Sequence, residues 1–102
     1  MVVWRYVLNE SGDLSFPGVY VFVMSEGAKV LSAQYQSARG CISLWVLVDE
    51  KEEIKTRRVF FVKGTGVCFE DVNSKNIVYV DTCQVSHGVC VWHVFERLGQ
   101  GD

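Results

Sequence analysis

The chain has 102 residues, of which 49% are hydrophobic and 22% charged; 10 Lys and Arg stand against 12 Asp and Glu, for a net charge of −2. This length makes one domain that can hold a core without staples, and the composition excludes intrinsic disorder. The charge balance excludes a phosphate-neutralising basic face, so no nucleic acid is expected as partner, and it is too mild for an acidic nucleic-acid mimic.

Short apolar runs alternate with turn residues along the whole chain, the signature of strands and hairpins. Val2–Leu8 is the first, ended by the polar run Asn9–Asp13. Pro17-Gly18 suits the centre of a type II turn, Pro presetting the first φ and Gly supplying the positive second. Val19–Met24 has no polar face and reads as a strand buried on both sides, by its own domain or by another chain. It is also the longest uncharged apolar stretch, far short of the ~18–20 residues a bilayer demands, so no membrane is expected as partner.

After the turn Ser25-Glu26-Gly27, the stretch Lys29–Gln36 carries two periods. Ala28, Leu31, Tyr35 and Ala38 fall at helical spacing, with Gly40 as a cap. Leu31, Ala33 and Tyr35 alternate with Ser32, Gln34 and Gln36 at strand spacing. The short length and strand-rich surroundings favour strand. Cys41–Val48 is strongly strand-like, Asp49–Glu53 is a charged hairpin tip, and Thr56–Lys63 returns as its partner. Gly64-Thr65-Gly66 breaks the pairing. A short strand Val67–Phe69 and a polar loop Glu70–Asn76, with room for one helical turn, lead to strand Ile77–Val85. The tight turn Ser86-His87-Gly88 then precedes the last strand, Val89–Glu96.

Turns roughly every 8–12 residues point to a mostly-β fold: a compact antiparallel barrel or two-sheet sandwich. Six to eight strands are expected, with at most one short helix. The domain spans 1–96, and 97–102 is a frayed polar tail.

Several strings resemble those of one family of short proteins. Trp4-Arg5-Tyr6 is similar to its W-K-Y start, and Gly27–Ser32 followed by Gln34 to its G-A-K-I-L-S-x-Q. Leu44–Asp49 resembles L-W-A-L-V-D, Arg58 and Phe60 with Gly64–Gly66 resemble R-x-F then G-T-G, and Tyr79–Gln84 resembles Y-I-G-T-x-Q. Trp92–Glu96 is W-H-V-F-E itself. The family comes from bacteriophages, prophages and their bacterial hosts and is a domain of unknown function. The resemblance implies a phage-type origin and the host cytoplasm, and it brings no catalytic residues. The chain departs from the pattern in a longer Asn9–Phe22 segment and in Asp81, which stands where the family tends to have Gly. The family's β-branched residues at the Ala33 and Tyr35 positions agree with a strand there.

Cys41, Cys68, Cys83 and Cys90 form no C-x-x-C pair. The opening residues also read as lacking a secretion leader, so buried free thiols are favoured over zinc ligation with His87 or His93, or a disulfide. His87 reads as a solvated turn residue. His93 shares a strand face with Val91 and Phe95 and reads as a core histidine, with ligand contact or catalysis as the sharper alternative. Cys90 lies three residues away and so on the opposite face. Gly64-Thr65-Gly66 offers backbone N–H groups to a phosphate, but neither a complete G-x-G-x-x-G nor a Walker lysine accompanies it. Arg57 and Arg58 are adjacent in a strand and face opposite ways.

With no catalytic constellation evident, no cofactor is expected. The leading expectation is stoichiometric binding to a host or phage protein, in counter-defence or regulation, with homodimerisation through an edge strand as a variant. The 3 Trp, 4 Tyr and 6 Phe exceed what a small core hides easily. Trp4, Tyr20, Phe22 and Trp45 are therefore the contact candidates. One rival is a nucleotide-binding sponge using Arg58, Lys63 and Gly64–Gly66. Another is a small hydrolase in which His93 meets a thiol or carboxylate from a neighbouring strand.

Overall fold

Period-two alternation of apolar side chains sorts each strand into a face that seeks cover and a face that tolerates water. The computed structural model describes residues 1–8, 18–36, 38, 40–66, 76–85 and 90–98, with backbone alone at 85 and 90. The strands are β1 Val2–Leu8, β2 Gly18–Ser25, β3 Lys29–Gln36, β4 Cys41–Val48, β5 Lys55–Gly64, β6 Ile77–Val85 and β7 Cys90–Arg97. There is no α-helix among the described residues. A three-stranded sheet has order β1-β4-β3 and a four-stranded sheet has order β2-β5-β7-β6. Every pairing is antiparallel. The sheets do not close into a barrel; they pack as a sandwich. Leu8, Ile42, Leu44 and Val46 come from one sheet and Met24, Phe60, Val62 and Val94 from the other, all buried in one core.

β4 is the centre of its sheet and is buried almost throughout. Its inner side chains meet the core. On its outer face Ser43 is fully buried, because Arg5 on β1 and Gln36 on β3 close over it. The Arg5 Nη1–H donates to Gln36 Oε1 at 2.9 Å, and the Ser43 hydroxyl donates to the same oxygen at 2.7 Å. Side chains of both neighbours thus cover a strand that would otherwise expose one face.

Lys29–Gln36 is a strand, as its alternation and its neighbours favoured. Its ladder to β4 shifts register between Val30 and Ser32, a bulge that turns Leu31 outward and accounts for the confusing spacing. Gly27 takes φ of +83° in the preceding turn, a left-handed conformation that glycine adopts readily because it has no Cβ to clash with its own backbone.

Two expectations need correction. β4 and β5 are not hairpin partners: β4 pairs β1 and β3, while β5 pairs β2 and β7. The charged segment after Val48 crosses between sheets, folded on itself by Asp49 Oδ1 accepting the Lys51 N–H and Glu52 Oε1 accepting the Ile54 N–H, each at 3.0 Å. Polar turn chemistry shows that a chain reverses, not which sheet it re-enters. Nor is β2 covered on both sides by its own domain. It is an edge strand whose inner side chains pack on the core while Val19, Val21 and Val23 face solvent, 59%, 43% and 60% exposed. Pro17, the Val67–Phe69 strand, most of the Glu70–Asn76 loop, the Ser86–Gly88 turn and the last four residues lie outside the described residues. β7 continues one residue beyond Glu96, and the Leu98 N–H bonds Asn76 O at 2.6 Å.

Candidate functional site

The solvent face of the four-stranded sheet follows from its register. On β5, Arg57, Val59, Phe61 and Lys63 point outward, because Phe60 and Val62 point in. Across the ladder Phe61 stands opposite Phe95 of β7, and Phe95 opposite Tyr79 of β6. The Tyr79 and Phe95 rings meet edge-on at 5.9 Å, and the Arg97 guanidinium lies 5.9 Å from the Phe61 ring centre. Phe61 itself is covered by these neighbours, so with the β2 valines the half-buried Phe95 and the exposed Tyr79 make an apolar surface flanked by Arg57, Lys63 and Arg97. No carboxylate lies among the described residues of that face, although the chain is acidic overall. The acids gather elsewhere: Glu26, Asp49, Glu50, Glu52 and Glu53 share one end of the sandwich, where the Glu26 N–H bonds Ile54 O at 2.9 Å.

His93 belongs to this outer face and not to the core, because Trp92 and Val94 take the inward positions of β7. Its Nε2 lies 2.7 Å from Thr65 Oγ1 and its Nδ1 3.1 Å from Thr82 Oγ1; Thr82 Oγ1 is 2.7 Å from the Tyr79 hydroxyl. Both ring nitrogens are engaged by hydroxyls, which donate or accept as the tautomer requires. No thiol or carboxylate is bonded to His93 among the described residues, so the arrangement required by the hydrolase reading is not assembled there. Nor do those residues include a cluster of three or more metal-ligating side chains.

Arg58, by contrast, points inward. Its Nε–H donates to Glu96 Oε2 at 2.5 Å, its Nη2–H to Glu96 Oε1 at 2.9 Å and its Nη1–H to the Ala28 carbonyl at 2.6 Å. Both side chains of this pair are mostly buried. The hydrogen bonds it donates to Glu96 hold the guanidinium above its ordinary pKa against the opposing effect of burial. Arg58 is therefore separated from Lys63, Gly64, Thr65 and Gly66. The last strand residue Gly64 sits opposite Trp92, Thr65 is tied to His93, and Gly66 turns the chain at φ +85°. The residues expected to cradle a nucleotide do not converge.

Of the aromatic candidates, Phe22 packs in the core against Tyr6 at 5.2 Å and Phe60 at 6.1 Å, and Tyr20 packs against the same core. The Tyr20 phenol lies over Gly18, where a Cβ would meet its oxygen at 3.1 Å. Trp45 is half-buried on the outer face of the other sheet, between Arg5 and Ser32. Trp4 is 57% exposed, at the β1–β2 opening of the sandwich, where it lines a cavity of about 180 Å³ with Tyr6, Ser25 and Asp49.

At the opposite opening, β3 and β6 run side by side without a backbone ladder. The Ala33 N–H donates to Asp81 Oδ2 at 3.1 Å, and Tyr35 makes a backbone hydrogen bond to the Cys83 thiol. Side chains of β6 thus cap the edge of β3. Asp81 follows a bulge between Tyr79 and Asp81, so its position serves as a clasp between the sheets. Cys83 and Cys41 are buried free thiols; burial first, and the Asp81 charge second, push the Cys83 thiol up to about 11. Further along the same seam, a cleft of about 460 Å³ opens over the Arg58–Glu96 pair. Sequence reasoning missed both Glu96 and this cleft. The available signal was one acid and one base at inward positions of strands whose other inward residues are apolar.

A family model described as a domain of unknown function (DUF7352) matches residues 1–101, and the chain belongs to that family. No curated protein and no solved structure matches it.

Proposed function

Starting from that membership, we propose that the chain is a phage-type accessory protein that works by stoichiometric binding to a host or phage protein, as in counter-defence or regulation. The observation behind this reading is the outer face of β2-β5-β7-β6: exposed valines on an edge strand, an exposed tyrosine ring across the sheet, and the cations Arg57 and Arg97 at its rim, with no carboxylate among the described residues of that face. Contiguous apolar surface of this kind marks protein contact sites, and the rim charges favour a partner whose own apolar patch is ringed by acids. A protein that acts by occupancy needs no converging catalytic groups.

The test is capture from a lysate of the cell that carries the gene, comparing the native chain with Val21→Glu. Val21 is exposed, so the variant keeps its fold by circular dichroism, but it places an acid among the exposed valines along the β2 edge of the face. Recovery of a defined partner by the native chain, lost with Val21→Glu, is the expected result. Equal recovery by both proteins would refute the assignment of the surface.

The free edge of β2 supports a second reading, a homodimer. The strand has no charged residue and no proline, and two-fold antiparallel pairing about Val21 would set Val19 against Val23 of the second copy. Sedimentation at high concentration decides this: a monomer throughout removes it.

A further inference from the structure

We propose that the cleft between β3 and β6 is a binding site for a small ligand carrying a carboxylate or phosphate on an apolar, ring-sized body. β3 and β6 are neighbouring edges tied together at Ala33 and Asp81, yet they are held apart at the other end of the seam. The cause is a pair of bulges, at Val30/Ser32 on β3 and Tyr79/Asp81 on β6, each of which bends its strand and interrupts regular pairing. The opening is therefore built into the backbone of both strands, and its volume of about 460 Å³ lies in the range of small-molecule sites.

The floor supplies donors. A guanidinium has five N–H bonds. Glu96 takes two and the Ala28 carbonyl one, leaving two without a partner among the described residues. Glu96 cancels the charge of Arg58, and Lys29, exposed at the rim, leaves the lining with one net positive charge. Glu96 also fixes the guanidinium in place, so its remaining donors lose little freedom on binding an oxyanion. Val30, Val78 and Val80 form apolar walls, and the Tyr79 ring, 57% exposed, stands at the mouth with its hydroxyl anchored on Thr82. This site shares Tyr79 with the margin of the protein-binding face proposed above and no other residue with it, and neither proposal requires the other.

The test is an NMR titration of the intact protein with phenyl phosphate and benzoate, using inorganic phosphate and acetate as bare anions. Saturable shifts confined to the amides of Gly27–Val30 and Val78–Val80 are expected, with the ring-bearing probes tighter than the bare ones. Whichever of phenyl phosphate and benzoate binds tighter names the head group. Replacing Arg58 threatens the fold, so exposed residues carry the mutational arm. Lys29→Glu should weaken binding by roughly tenfold or more, and Tyr79→Ala should abolish the preference for a ring, while Lys51→Glu, remote from the cleft, changes neither. Shifts that fail to saturate or spread over other lysines, bare anions that bind equally well, or unaltered binding by Lys29→Glu would each overturn the proposal.

Discussion

Removing the clasp between the sheets tests the account of the fold most directly. In Asp81→Ala the Ala33 N–H loses its acceptor at 3.1 Å, and the Thr82 N–H loses one at 2.9 Å. Ala33 is buried, so its amide cannot turn to water without opening the seam. An orphaned buried donor costs about 1–3 kcal/mol, and loss of a charged acceptor places the change in the upper half of that range. Thr82 is exposed and recovers its bond from solvent, so it adds little. A loss of about 2 kcal/mol moves the urea midpoint down by roughly 1 M at an ordinary slope for a small domain. Asp81→Asn keeps a carbonyl oxygen for Ala33 and should lose less than half as much. Hydrogen exchange adds a local readout, since the Ala33 amide should lose protection in Asp81→Ala before the amides of central strand β4. An unchanged midpoint, or equal losses for Ala and Asn, would refute the clasp.

Glu96→Ala strands the mostly buried Arg58 charge and should cost roughly 3–5 kcal/mol in denaturant unfolding. Arg58→Met combined with Glu96→Met should cost less than that single change, and a costlier double variant would contradict the desolvation argument. The Cys83 thiol, pushed up to about 11 in the fold, titrates from about 9 when unfolded, so rising pH draws protons from the unfolded chain first. Its contribution is complete below about pH 9 and is lost on approaching pH 11, at most roughly 3 kcal/mol. Stability–pH curves of the native chain and Cys83→Ala should therefore converge across that window, and parallel curves would refute the shift.

Much of the architecture was legible in the residues. The β-branched and aromatic residues of β1 and the apolar runs of β4 and β5 place those strands within a residue or two of where they lie. The opposed directions of Arg57 and Arg58 follow from pleating alone. Lys29–Gln36 shows why periodicity falters: the extra residue at a bulge shifts the phase of the pattern, and the shifted phase resembles a helix. Phe22 and His93 show a second limit. An aromatic ring in a strand fits either face, and only the opposing sheet decides which face is inside.

Strand content and antiparallel pairing are properties of local spacing, and so the chain carries them by itself. The choice of a sandwich, the crossing from β4 to β5, the solvent-facing valines of β2 and the Arg58–Glu96 pair over an open seam depend on residues tens of positions apart. Those arrangements are set by which strands share a ladder and which face each sheet turns to the other. Alternation repeats every two residues and carries no information about partners at that distance.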